Sequence, residues 1–163
     1  MPYGLPSTSS LRFAWRGAKW FLFLFLVLAP GCDRPRITTE FGTREMTLPH
    51  GQVIKAETMI TTADLRRGLM FRTSLAPDHG MLFVHPGPGN YPYWMYQILI
   101  PLDIIWMDSD HRIIQIVQNA QPCKTDPNQC TQYYCTKPTN FVLELGGGMA
   151  KTYGLALGQT IDW

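Results

Sequence analysis

The chain has 163 residues, a length that suits one domain, and 14 Lys+Arg against 12 Asp+Glu give it a formal charge of +2. Three of the cations, Arg12, Arg16 and Lys19, fall within the first 31 residues; without those residues 132 remain, with a charge of about −1. Such a balance leaves no basic excess for nucleic acid, whose binding is dominated by phosphate contacts.

After the three cations comes "WFLFLFLVLA", Trp20 to Ala29, ten unbroken apolar residues. A helix spanning the hydrocarbon layer needs about 20, so residues 1–31 read as a secretory signal peptide. The alternative is a retained membrane anchor. "LAPGC", Leu28 to Cys32, resembles the lipobox of bacterial lipoproteins, with Gly31 and Cys32 matching and Ala29 and Pro30 departing from it. That resemblance implies that Cys32 is lipidated and becomes the first mature residue, holding an exported protein to a membrane on the outer side of the cytoplasmic membrane or in the periplasm. Residues 32–38 then form a tether to a single domain over 39–163.

Within that domain, "FGTREMTLPHGQVIKAETMI" suggests two strands joined at Pro49-His50-Gly51. "TTADLRRGLMF" changes to a short helix: Thr61 and Asp64 have capping-box spacing, Leu65 and Leu69 are four apart, and Gly68 ends it. "GMLFV" (80–84) reads as a buried strand, and "HPGPGNYP" (85–92) as irregular because of its Pro and Gly. Strands are expected at about 93–99 and 102–107. A turn at "DSDH" (108–111) and a partner strand at 112–118 complete a hairpin. "NFVLELGGG" is a strand ending at glycines, "MAKTYGLALG" one or two helical turns, and "QTIDW" a closing strand. The expectation is a mostly β, α+β fold: a compact barrel or sandwich of short strands with one or two short helices.

Cys123, Cys130 and Cys135 cluster in "CKTDPNQCTQYYC". In an exported chain this reads as disulfide chemistry. Cys123–Cys130 would close a turn-like loop around Asp126-Pro127-Asn128; Cys123–Cys135 is the alternative, and the remaining thiol is either free or paired with another chain. A zinc site is disfavoured because no histidine lies in the cluster. Met70, Met81, Met95 and Met107 read as core filling rather than copper ligands. No metal and no cofactor is expected.

Asp103 stands out as one acid in the apolar run "YWMYQILIPLDIIWMD". A charge in such surroundings needs a partner, and the planar fork of Arg72 suits a carboxylate. The expectation is a structural Arg72–Asp103 pair. A ligand-facing acid is the second reading, and a catalytic acid or base the third, with Asp78, His79 and His85 as possible second groups. In residues 93–96, strand alternation puts Tyr93 and Met95 on one face and Trp94 and Tyr96 on the other.

Taken in order, "RRGLMFR", "GMLFV", "YWM…IPLDIIWMD", "NAQPC" and "FVLELGGGMAKTYGLALGQTID" resemble the domain of unknown function 192 family over roughly Val53 to Trp163. The resemblance implies a small β-rich domain, often exported, and carries no established activity. Where the family usually has Lys-Asn-Thr after Trp-Met, this chain has Tyr96, Gln97 and Ile98, so a cationic role there is absent. The functional expectation is a non-catalytic small-ligand or protein-binding accessory module of the cell envelope, with Arg67, Arg72, Trp94, Tyr96 and Asp103 lining its site. The ligand or protein partner is not specified by the sequence. The alternative is a small envelope hydrolase using Asp103.

Overall fold

The computed structural model describes residues 42–163; the expected signal peptide, the expected lipidation site at Cys32 and the expected tether lie outside the described residues. The domain is built on one mixed six-stranded sheet, in the order β1 (Thr43–Thr47), β2 (Val53–Met59), β3 (His79–Gly89), β8 (Thr139–Gly146), β5 (Leu102–Met107), β6 (Ile113–Ala120). β1 (Thr43–Thr47) and β2 (Val53–Met59) form the expected hairpin. Helix α1 (Thr62–Arg67) crosses from β2 to β3 (His79–Gly89), which run parallel. The Thr61 hydroxyl accepts from the Asp64 backbone N–H, satisfying one of the amides a helix start leaves unpaired.

β5 (Leu102–Met107) and β6 (Ile113–Ala120) are the second hairpin, turning at Asp108, whose Oδ1 accepts from the Asp110 and Arg112 amides. β8 (Thr139–Gly146) inserts between β3 and β5, antiparallel to both, and leads into the four-residue helix α2 (Met149–Thr152).

The mostly β expectation holds in its sandwich-like form: the six-stranded sheet is open rather than a closed barrel. Three local expectations change. "QTIDW" is not a strand of its own; it straps the two edges, with reciprocal Thr47–Asp162 backbone bonds on the β1 side and Ile113 N–H donating to Gln159 on the β6 side. "HPGPG" belongs to the end of β3, beyond the last β2 pair at Met59–Phe83 and across a register break before Gly89. A proline's missing N–H matters little where no ladder partner waits for it. Of 93–99, only β4 (Tyr93–Trp94) is a strand, paired with β7 (Gln132–Tyr133) in a separate ribbon.

Both faces of the central strands are buried, so their sequences are apolar at nearly every position, as expected for a doubly covered sheet. Alternation sends Leu82, Ile105, Leu143 and Leu145 to the first core, closed by Leu155 and Ile161. Met81, Phe83, Ile104, Trp106 and Val142 face the second, covered by Leu69, Tyr93, Met95 and Ile98.

Candidate functional site

Asp103 is 0% exposed and its partner is not Arg72. Its neighbours Leu102 and Ile104 point into the second core, so its own side chain points to the first. There Oδ1 accepts from the Asn119 and Gly148 amides at 2.7 and 3.0 Å, and Oδ2 from the Ala150 amide at 2.7 Å. The glycine run after β8 shapes this cradle. Gly148 adopts φ 87°, and a Cβ on Gly147 would come within 2.8 Å of Pro101 and Asn119. Three amides replace the expected guanidinium, and they tie β5 to the end of β6 and the start of α2. With both oxygens engaged and no exposed surface, Asp103 is neither a ligand-facing acid nor an accessible acid or base here.

Arg72 instead grips Glu57 of β2, Nη1 to Oε1 at 2.5 Å and Nη2 to Oε2 at 2.6 Å, in a half-exposed pair. Alternation explains the exchange of partner. Glu57 aligns with Met81, which faces the second core, and the segment carrying Arg72 packs there through Leu69 and Met70. The sheet itself therefore separates Arg72 from Asp103.

At this edge the 67–72 segment meets the 93–99 segment: the Phe71 amide donates to the Gln97 carbonyl at 2.9 Å. Both residues are left-handed, with φ of 64° and 57°, a region costing a residue with a Cβ about 1–2 kcal/mol. Phe71 is nevertheless 61% exposed. Tyr93 and Met95 turn inward while Trp94 turns outward, its ring 5.4 Å from that of Tyr96, whose hydroxyl accepts from the Gln97 amide nitrogen. A shallow groove lined by Tyr96, Gln97, Leu99, Lys124 and Thr125 continues the surface. Of the expected site residues, Arg72, Trp94 and Tyr96 thus flank one rim, Arg67 is exposed at the end of α1, and Asp103 lies on the other face of the sheet.

The disulfide is Cys123–Cys130, and Cys135 is free and buried, which leaves it inaccessible to a second chain.

Glu144 escaped the sequence reading. It sits in β8 between Met81 and Ile104, 4% exposed, on the second face. No hydrogen bond or ion pair reaches its carboxyl among the described residues, and burial pushes its pKa up to about 8. Above it lies Tyr93, edge-on to Phe83 and Trp106 and hydrogen-bonded to His85 Nε2 at 3.0 Å. Burial, and then the charge of Glu144, raises the Tyr93 pKa. Burial alone lowers that of His85 to about 4. The Trp106 indole N–H is also buried without a partner. The available signal was an acid at an inward position of "FVLEL", on the same face as Val142.

The profile of the DUF192 family, described as "Uncharacterized ACR", matches residues 45–163. A UPF0127 protein of Thermococcus kodakarensis is 27% identical over 116 residues, 70% of this chain and 66% of that protein, so the chain spans just under two thirds of that relative's length. A crystal structure of a protein of unknown function from Novosphingobium aromaticivorans superposes with a TM-score of 0.68 at 35% identity, covering 74% of this chain and 85% of that one. Another, from Sinorhizobium meliloti, described as a putative transcription regulator, gives 0.68 at 28% identity over 75% and 94%. With the profile spanning most of the sequence and the motifs in the same order, the chain belongs to the DUF192 family.

Proposed function

We propose that this protein is an exported, lipid-anchored, non-catalytic binding module of the cell envelope, and that it binds through the rim where the 67–72 and 93–99 segments meet. The observation that carries the binding reading is Phe71. A bulky residue in a left-handed conformation, with most of its surface in water, gains little from packing; strain of this kind is characteristic of functional surfaces. The export reading is supported by the apolar run and Cys32 at the head of the tether. A hydrolase using Asp103 is disfavoured because both carboxylate oxygens are held by amides. The Sinorhizobium meliloti relative is described as a putative transcription regulator, but a charge of about −1 after residue 31 leaves this chain without the overall basic excess that dominates nucleic-acid binding.

Two measurements test the reading. Phe71→Gly removes the ring and the backbone strain together, since glycine adopts positive φ freely. It should leave the melting temperature unchanged or raise stability by about 1 kcal/mol; a clear fall makes Phe71 a packing residue and removes the binding argument. Cys32→Ser should move the protein from the membrane fraction to the soluble fraction. Retention of residues 1–31 in the mature protein overturns the export reading.

A further inference from the structure

We infer that the occupant of this rim is the surface of an anionic lipid bilayer. The inference rests on the proposed binding role of the rim and names its partner. Phe71 and Leu99 are 61% and 53% exposed, and Trp94 is 37% exposed. An aliphatic and two aromatic side chains of this kind favour the boundary between headgroups and acyl chains.

Within the three segments the charges are cationic. Residues 66–72, 93–101 and 123–125 contain Arg66, Arg67, Arg72 and Lys124 and no acid. Arg72 is paired with Glu57, which leaves Lys124 in the groove with Leu99 and Arg66 and Arg67 exposed at the end of α1. The nearest acids in sequence are Asp64, whose Oδ2 accepts from the Thr61 hydroxyl, Asp126, in the disulfide loop, and Asp103, held by amides on the other face of the sheet. A saccharide would use the aromatic rings but has no need of the cations. An anionic membrane uses both, and each cation near such a surface adds to the attraction.

The tether points the same way. Nine residues, 33–41, separate Cys32 from Gly42 and extend at most about 32 Å. A lipid on Cys32 would hold the domain within that reach of the bilayer, so even a weak surface contact would be occupied most of the time.

The test uses the domain without its lipid, residues 42–163. The solved relatives, 85% and 94% of whose lengths are matched, fold with little beyond this domain. Sedimentation is measured with vesicles of phosphatidylcholine containing phosphatidylglycerol, and with phosphatidylcholine alone. The mixed vesicles should bind the domain more tightly, and binding should weaken with salt. Phe71→Asn with Leu99→Ser should reduce binding on the order of tenfold or more, asparagine being chosen because it tolerates the left-handed backbone. Lys124→Glu should reduce binding to the anionic vesicles by about fivefold or more. Val53→Ser, an exposed apolar position outside the three segments, should not change it. Thermal melts of each variant verify folding. Absence of binding to anionic vesicles overturns the inference, as does equal binding by the wild type and the Phe71/Leu99 variant. Displacement by millimolar inorganic phosphate would also overturn it, because the site would then be a phosphate pocket. The Phe71→Gly melt does not depend on these outcomes, and the Cys32→Ser fractionation is made at high salt, where the surface contact is weakened, so failure here leaves the broader reading separately testable.

Discussion

Two buried acids sit on neighbouring strands of this sheet, and their surroundings are opposite. Asp103 on β5 faces the first core and receives three backbone amides. Glu144 on β8 faces the second core and receives none. Their positions in the ladder are adjacent, Asp103 opposite Leu145 and Ile104 opposite Glu144. Sequence context is nearly the same, a single acid in an apolar strand, so context alone does not decide whether a buried carboxyl is satisfied. What separates them is the loop each faces. Gly147 and Gly148 let a chain turn close enough to offer amides to Asp103. Glu144 lies between Met81 and Ile104 in the ladder, with no loop brought against it to offer amides among the described residues.

Removing the satisfied acid should have the largest effect. Asp103→Ala leaves three amides without their acceptor, each costing about 1–3 kcal/mol when buried; a total loss of about 3–5 kcal/mol is expected in denaturant melts. A loss below about 1 kcal/mol would mean that water replaces the carboxylate and the cradle is not structural.

The unsatisfied acid should behave in the opposite way. Its pKa is raised from 4.5 to about 8, so the folded state retains a proton that the unfolded state has released. The stability associated with neutral Glu144 is fully present below about pH 4.5 and is lost as pH rises towards 8, by a few kcal/mol. Glu144→Gln should remove that decline and stabilise the protein at pH 8. His85, lowered to about 4, has the reverse sign: its contribution is present above about 6.5 and is lost as pH falls through 4. Between 4.5 and 6.5 the two slopes oppose each other, giving a shallow plateau. Melts of wild type and Glu144→Gln from pH 4 to 9 check this; parallel curves for the two would show that Glu144 is ionised in the fold.

The smallest effect sharpens the contrast from outside both cores. Arg72→Met should cost about 1 kcal/mol or less, because its pair with Glu57 is half exposed. Combined with Asp103→Ala the losses should add, since the sheet lies between the two residues. Marked non-additivity in that double mutant would restore a direct Arg72–Asp103 coupling.

Much of this fold could be read along the chain, and the exceptions have physical causes. β5, β6 and β8 were legible because runs of apolar residues are bounded by turn formers. The α1 cap and the Cys123–Cys130 loop were legible because their determinants lie within eight residues of each other. The end of β3 was hidden because prolines usually break strands, and here they fall beyond the last β2 pair. Arg72's partner was hidden because choosing between Glu57 and Asp103 requires knowing which face of a shared sheet each presents. The open sheet depends on where the 158–162 segment goes, a contact between distant residues with no local signature. Phe71 and Gln97 were missed as a pair because positive φ leaves no trace in residues other than glycine or asparagine.

The position of β8 also constrains when this domain can fold. β3 and β5 do not pair with each other; each pairs with β8. Until residues 139–146 have been made, the chain holds two separate half-sheets, β1-β2-β3 and β5-β6, each with an apolar edge open. Every contact that joins the halves through β8 closes a long loop, which slows folding. A nascent chain stalled before residue 139 should therefore be sensitive to protease, and one extended past the strap should be resistant.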